Sequence, residues 1–254
     1  MNLELFEKVF STDEKVNQEV IRKHISKIKE LSAYLPKTQS YFMIQDTVNQ
    51  TVGHVCDNYK LILGYEKNEL LNNGLPFHFS NYHPEDVENW QRTLNDLMVF
   101  TMTNIPAEER HECVYTWTYR IKTKKGRFLN IQETLTPIYF DNTGKPLVGF
   151  SQSTVIENVK KQPQIGVCKK LNSKSEYETI YYKNYSKSIL LDRLSHRELD
   201  VVRLLSQGLS TKEISSRLNI SDNTTSTHRK KILSKLDFNT TSEIVKYCLT
   251  NQIF

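Results

Sequence analysis

Two hydrophobic periods divide this chain. Between Ser40 and Ile156 apolar positions alternate or run in short blocks, the pattern of strands, whereas after Ser188 they recur every three or four residues, the pattern of helices. Ahead of both, residues 3–35 carry Val16, Val20, Ile25, Ile28, Leu31 and Leu35 with Lys and Glu between them, which predicts helix. Ser11-Thr12-Asp13-Glu14 offers cap residues and acids for a start near residue 12, leaving Leu3–Phe10 as a separate short helix. Such a stripe either covers a face of its own domain or serves self-association.

The central region predicts strands over Tyr41–Val48 and Gly53–Cys56, a helix from Tyr59 to Tyr65, another over Glu66–Leu71, and a loop around Asn72-Asn73-Gly74 and Pro76. His83-Pro84-Glu85-Asp86 predicts a helix start, with proline in the first turn and two acids where unpaired N–H groups favour negative charge; the helix runs to about Phe100. Cys113–Lys122, Phe128–Tyr139 and Pro146–Ile156 follow as an antiparallel meander, joined by turns at Lys124-Lys125-Gly126-Arg127 and Asp141-Asn142-Thr143-Gly144. Gln164–Leu171 and Tyr177–Tyr185 flank Asn172-Ser173-Lys174-Ser175 and predict a hairpin. Its tyrosines and lysines suit nucleic acid, but a hairpin needs its apolar side covered, so docking on a domain is the favoured use.

The last 67 residues hold no proline and one glycine, Gly208. Ser195 with Glu198, and Ser210 with Glu213, repeat the reciprocal capping spacing, and Gly208 stands where a left-handed residue would end the first helix. After a three-residue turn, Asn219–Ser221, Ser221 caps a third helix reaching Leu236, and Ser242–Thr250 predicts a fourth. Short helices in this order make a helix-turn-helix. On the third, Thr225, His228 or Arg229, Ile232 and Leu236 share an inward face, leaving Ser226, Thr227, Lys230 and Lys231 outward.

Composition narrows the function. At 254 residues, 38% apolar and 25% charged, the chain reads as a soluble protein of one or two domains. No apolar run suits a membrane span and the acidic N-terminus is no signal peptide, so a cytoplasmic location is expected. The net charge of +5 is unevenly spread: residues 1–156 carry −2, 157–190 carry +4 and 191–254 carry +3, which fits a polyanion partner at the C-terminal end. Cys56, Cys113, Cys168 and Cys248 are widely spaced, with no CxxC, so reduced thiols and no metal site are expected. No P-loop, GxGxxG, HExxH or GxSxG is present, and the chain is not expected to be an enzyme.

Two resemblances organise these elements. Leu194-Ser195-His196-Arg197-Glu198, Gly208 through Ile214, Leu218-Asn219-Ile220-Ser221 and Thr224 through Leu236 resemble the LuxR-type DNA-binding domain, with Thr225, Ser215 and Asp237 standing where Val, Ala and Gly are usual. Asp57-Asn58, Leu63-Gly64-Tyr65-Glu66-Lys67-Asn68-Glu69-Leu70, His83-Pro84-Glu85-Asp86 and the two glycine turns resemble a PAS domain over roughly residues 40–157. The implied fold is α+β: a PAS-like five-stranded antiparallel sheet with helices, plus an all-α four-helix LuxR-type domain. Expected boundaries are a helical segment at 1–39, the PAS-like domain at 40–157, a basic connector at 158–188 and the helix-turn-helix at 189–254.

The likeness places Ser226, Thr227 and Lys230 at base edges, with Thr224 on the same leading turn, and Arg229, Lys231, Lys235 and Lys212 at phosphates. It implies double-stranded DNA and the transcription machinery as partners, and a homodimer through the fourth helix, with Val245, Cys248 and Leu249. No cofactor is assigned. An unidentified small molecule in the PAS-like domain, a non-sensing dimerisation or docking module, and an autoinducer-binding regulator stay open as readings. His54, His78, His83 and His111 have the type of an axial haem ligand, but local hydrogen bonding explains them better, His83 as a helix start. Phe42, Tyr115, Trp117 and Tyr119 are expected inside, either filling a core or lining a pocket.

Overall fold

The computed structural model describes residues 3–13, 18–32, 34, 36–157, 162–187, 193–251 and 253–254. Glu14, Val16 and Leu35, the Leu31 side chain, and the expected boundaries at 158 and 188–189 lie outside the described residues. The chain divides into two compact units, residues 1–160 with 164–183, and residues 161–163 with 184–254.

The first unit is built on one seven-stranded sheet in the order β2-β1-β5-β4-β3-β6-β7. Its strands are β1 (Ser40–Asp46), β2 (Thr51–Val55), β3 (Cys113–Lys122), β4 (Phe128–Phe140), β5 (Pro146–Val155), β6 (Ile165–Leu171) and β7 (Tyr177–Asn184). The expected five strands are present, and the count grows to seven because the connector hairpin joins the same sheet. Strand β6 pairs antiparallel with β3, Tyr115 opposite Cys168 and Trp117 opposite Gly166. Pairing satisfies backbone groups that an isolated two-stranded hairpin would leave to water, while Cys168, Ile180 and Tyr181 of the hairpin pack on the unit's core.

Helices α1 (Glu4–Phe10), α2 (Gln18–Ser32), α3 (Asn58–Leu63), α4 (Lys67–Ser80) and α5 (Pro84–Asn104) complete the unit. Leu3–Phe10 is indeed separate from the longer helix. Its Phe6 is buried, stacked on Trp90 with ring centroids 5.8 Å apart and set edge-on to Phe79 at 5.0 Å. Helix α2 lies on the opposite sheet face, where Ile21, Ile25 and Ile28 pack with Ile44 and Val148. Both helices therefore bury apolar faces within their own unit.

The loop expected around Asn72–Pro76 is helical instead, broken only at Gly74. Gly74 has φ 63 and ψ −158, a region open to glycine, and a Cβ there would stand 2.3 Å from the Gln50 carbonyl oxygen. That break lets Leu75 N donate to Gln50 O at 2.9 Å and the helix resume, with Pro76 in its new first turn where a missing N–H costs little. His83 caps α5, its Nδ1 accepting from Glu85 N at 3.3 Å. Strand alternation sends Tyr41 and Met43 into the helix-covered core, as it does Tyr115, Trp117 and Tyr119. Phe42 falls between Tyr41 and Met43 and so leans to the other face, stacked on Phe150 at 5.5 Å, partly buried and packed at the margin of the main core where its neighbours fill it.

The second unit holds α6 (His196–Ser206), α7 (Thr211–Leu218), α8 (Asp222–Leu236) and α9 (Thr241–Thr250). Ser195, Ser210 and Ser221 cap three of them, the first two with reciprocal bonds from Glu198 and Glu213. Thr240 caps the fourth with Glu243 in the same arrangement. Val201, Val202, Leu205, Ile214, Ile232, Leu236 and Ile244 form one core.

Candidate nucleic-acid interface and sheet-domain interior

Helix α8 follows α7 after Asn219, Ile220 and Ser221. Asn219 takes the left-handed conformation, φ 52, which a short polar side chain tolerates, and this reverses the chain within three residues. The Ser215 hydroxyl, buried on α7, donates to Asp222 Oδ1 at the first turn of α8. Neither the pairing nor its role in fixing α8 is visible in the linear pattern, although Asp222 directly after the cap was a signal of a helix start.

The faces of α8 separate sharply. Thr225, Ile232 and Leu236 are buried, and His228 and Arg229 are half-buried. Thr224, Ser226, Thr227, Lys230 and Lys231 are exposed, as is Lys212 on α7. Among the described residues Lys212, Lys230 and Lys231 make no ion pair and Ser226 makes no side-chain hydrogen bond. Thr227 Oγ1 donates to Asn223 O at 2.9 Å, so its hydroxyl proton is engaged and its lone pairs remain free to accept. Asn223 is exposed one turn earlier, beside Thr227, a position the sequence reading passed over.

Arg229 and Lys235, expected at phosphates, also reach partners within the unit. Arg229 donates to Thr211 Oγ1 at 2.5 Å and to Thr241 Oγ1 at 2.8 Å, tying the first turns of α7 and α9 to the middle of α8. Lys235 Nζ lies 2.7 Å from Glu198 Oε2, a carboxylate almost fully buried. Burial would raise the Glu198 carboxyl, but Lys235 and the Ser195 backbone and hydroxyl outweigh it and hold it below the usual range. Both cations are thus engaged inside the unit. The reason is tertiary: facing the same helix edge, α6, α7 and α9 supply acceptors within reach.

On α9, Ile244 and Cys248 belong to the unit's own core and Val245 packs against it, so Cys248 does not present a surface. Leu249 is 65% exposed, an unusual state for leucine, beside Lys246. A shallow apolar hollow runs along Thr241, Ser242, Val245 and Leu249.

Inside the first unit, Tyr41, Ser153, Glu133 and Trp117 stand opposite one another across β1, β5, β4 and β3. Glu133 is buried; burial pushes its carboxyl above the ordinary range although Tyr119, Gln45, Ser151 and Trp117 face it. Gln45 Nε2 donates to Glu133 Oε1 at 2.5 Å and to Ser151 Oγ at 2.8 Å. Alternation placed Glu133 on the face of Ile131 and Leu135, so the sequence carried this signal unread. Above the row His78 sits among Tyr41, Tyr59 and Tyr82, with ring centroids 5.5 to 6.3 Å away. Among the described residues neither His78 nitrogen nor the buried Tyr59 hydroxyl has a hydrogen-bond partner, and burial lowers the imidazole to about 3. Beside the row lies a small, mostly apolar cleft of about 50 Å³ lined by Phe10, Leu97, Met98, Tyr115, Trp117 and Leu135.

His83, Glu85 and Asp86 come close enough to suit a metal ion, but the Arg120 guanidinium already engages the two carboxylates. Arg120 contacts Asp86 through Nε at 2.9 Å and Glu85 at 2.9 Å. His54 bonds Ser32 at 3.1 Å and His111 is exposed. Among the described residues no helix is long and apolar enough to cross a membrane.

Comparison with known proteins agrees with these two units. Residues 192–248 match the family of bacterial regulatory proteins of the luxR family, and residues 54–150 match the PAS fold. The chain is 37% identical over 68 residues to the positive transcription regulator BvgA of Bordetella pertussis, covering 27% of this chain and 32% of BvgA. It is 52% identical over 44 residues to the nitrate/nitrite response regulator NarP of Escherichia coli, covering 17% and 20%. The chain therefore spans about a third or less of these relatives. Among solved structures it is similar to a phage VqmA–DPO complex, at 12% identity and TM-score 0.37 over 93% of this chain and 91% of that one. It is also similar to Vibrio cholerae VqmA, at 14% identity and TM-score 0.33 over 90% and 88%.

Proposed function

We propose that this chain, which joins a PAS fold to a luxR-family regulatory domain, is a sequence-reading DNA-binding regulator whose helix α8 enters the major groove. One observation carries the reading: α8 buries Thr225, Ile232 and Leu236 while leaving Ser226, Thr227, Lys230 and Lys231 exposed on one side. Ser226 and Thr227 read base edges, Thr227 as an acceptor from an amino group, and Lys230 reaches a guanine. Lys231 and Lys212 neutralise phosphates, and Thr224 flanks them at the helix start. Arg229 and Lys235 are positioning residues in this scheme. The chain acts as a homodimer with Leu249 in the contact, so that two α8 helices meet half-sites about 34–36 Å apart and reach the transcription machinery from there. No catalytic role is assigned to any residue.

The sheet domain regulates this binding through a small molecule held against the cleft beside Trp117. The apolar lining, with the Thr101 and Tyr115 hydroxyls beside it, supports that reading. Duplexes selected by the full chain from a random-sequence pool supply the test. Lys230→Ala with Lys231→Ala should weaken binding and flatten its salt dependence. Unchanged affinity and slope in that double variant would sink the groove assignment. Sedimentation of the complex as one protomer per duplex would remove the dimer, and a native mass and absorption spectrum without any retained small molecule would favour a filled, non-sensing core.

A further inference from the structure

Cys113 and Cys168 form a thiol pair that neither the DNA-binding surface nor the apolar cleft uses. Cys113 lies opposite Lys170 on β3 and β6, and Tyr115 lies opposite Cys168, so the two cysteines are diagonal neighbours on one face of the sheet. Both are free and buried, and the Cys113 thiol donates to Glu109 O at 4.0 Å. The two sulfurs are also not equivalent. The neighbouring Cys168 thiol, the Tyr115 hydroxyl and the Lys170 ammonium lower the Cys113 thiol despite burial, whereas Cys113 and burial raise Cys168. Lys170 is held at this spot by Glu109.

We propose that Cys113 and Cys168 form a reversible disulfide on reaction with a hydroperoxide, fastening β6 covalently to β3. The Cys113 sulfur attacks the peroxide, the O–O bond breaks, and an alcohol leaves as Cys113 becomes a sulfenic acid. The Cys168 sulfur then attacks that sulfur; the S–S bond forms, the S–O bond breaks, and water leaves with the Cys168 proton. The hydroperoxide takes up the two electrons. Access comes through the hairpin, an edge element whose outer strand β7 is largely exposed, opening locally from β3. Diagonal neighbours start about 7–8 Å apart at Cα, and a disulfide needs Cβ atoms within roughly 4.5 Å. Closing the bond therefore draws β6 along β3, and with it the hairpin that leads into the helical unit.

The test uses the full chain treated with tert-butyl hydroperoxide, alkylated under denaturing conditions and digested. The expected result is a peptide linking Cys113 to Cys168 within one chain, reversed by dithiothreitol, with Cys56 and Cys248 still alkylated. The Cys56→Ser, Cys248→Ser double variant should form the same link. Cys168→Ser should instead give a Cys113 sulfenic acid that dimedone traps. Retention of both alkylatable thiols in protein of native circular dichroism, a link between chains, or oxidation of Cys113 to sulfinic acid without linkage would each overturn the proposal.

Discussion

Replacing Arg229 by alanine separates a strut from a phosphate contact. Its guanidinium makes two charge-assisted hydrogen bonds, to Thr211 at 2.5 Å and Thr241 at 2.8 Å. Each such bond contributes about 1.5–3 kcal/mol when well shielded. Arg229 is only half-buried, so solvent takes up part of the loss and about 2–3 kcal/mol in total is a fair expectation. In a domain of this size 1 kcal/mol moves the midpoint by roughly 4–8 °C, so Arg229→Ala should lower melting of the helical unit by about 10–20 °C. Lys231→Ala is the control: an exposed lysine without an ion pair among the described residues should leave melting unchanged. Against selected duplex DNA the pattern should invert. Below the melting transition Arg229→Ala should keep the wild-type salt slope, while Lys231→Ala should reduce it by about 0.9 per protomer. If Arg229→Ala reduces the slope equally and leaves melting untouched, the side chain faces phosphate and the strut argument is wrong.

Three further outcomes are expected. Gly74→Ala puts a methyl 2.3 Å from the Gln50 carbonyl at a backbone conformation suited to glycine, so the sheet unit should lose at least about 3 kcal/mol in urea denaturation; wild-type stability would show that the kink can relax. Asp237→Gly should stabilise the helical unit by about 1 kcal/mol in thermal melts, because Asp237 ends α8 at φ 56 and sets a negative charge at the helix's negative end; a lower melting point would refute this. The depressed imidazole of His78 makes the fold favour its neutral form, so stability is present above pH 6.5 and is lost as pH falls toward about 3. The full span amounts to roughly 4–5 kcal/mol, with Glu133 acting in the opposite sense because its carboxyl is raised. His78→Phe should flatten the acid limb of the stability profile, and an unchanged limb would refute the assignment.

The local chemistry of this protein was legible in its sequence. Caps at Ser195, Ser210 and Ser221, the glycine turns and the alternation of β3 depend on residues a few positions apart, and the elements they predict stand where expected. The exposure of Ser226, Thr227, Lys230 and Lys231 follows likewise from the helical period of one stretch. Tertiary structure decided what depends on distant partners. A break at Gly74 could be read as a loop until Gln50 approached it, and a hairpin's destination is undefined until β3 offers an edge. Phe42 reads as interior because aromatic residues favour cores, and strand register sets it at the margin of the main core, leaning to the other face. For Arg229 and Lys235 the helix pattern gives charge and direction, and only the fold supplies Thr211, Thr241 and Glu198 as acceptors. A cation's role is set by whichever acceptor it reaches, and that is a property of packing between elements, not of spacing within one.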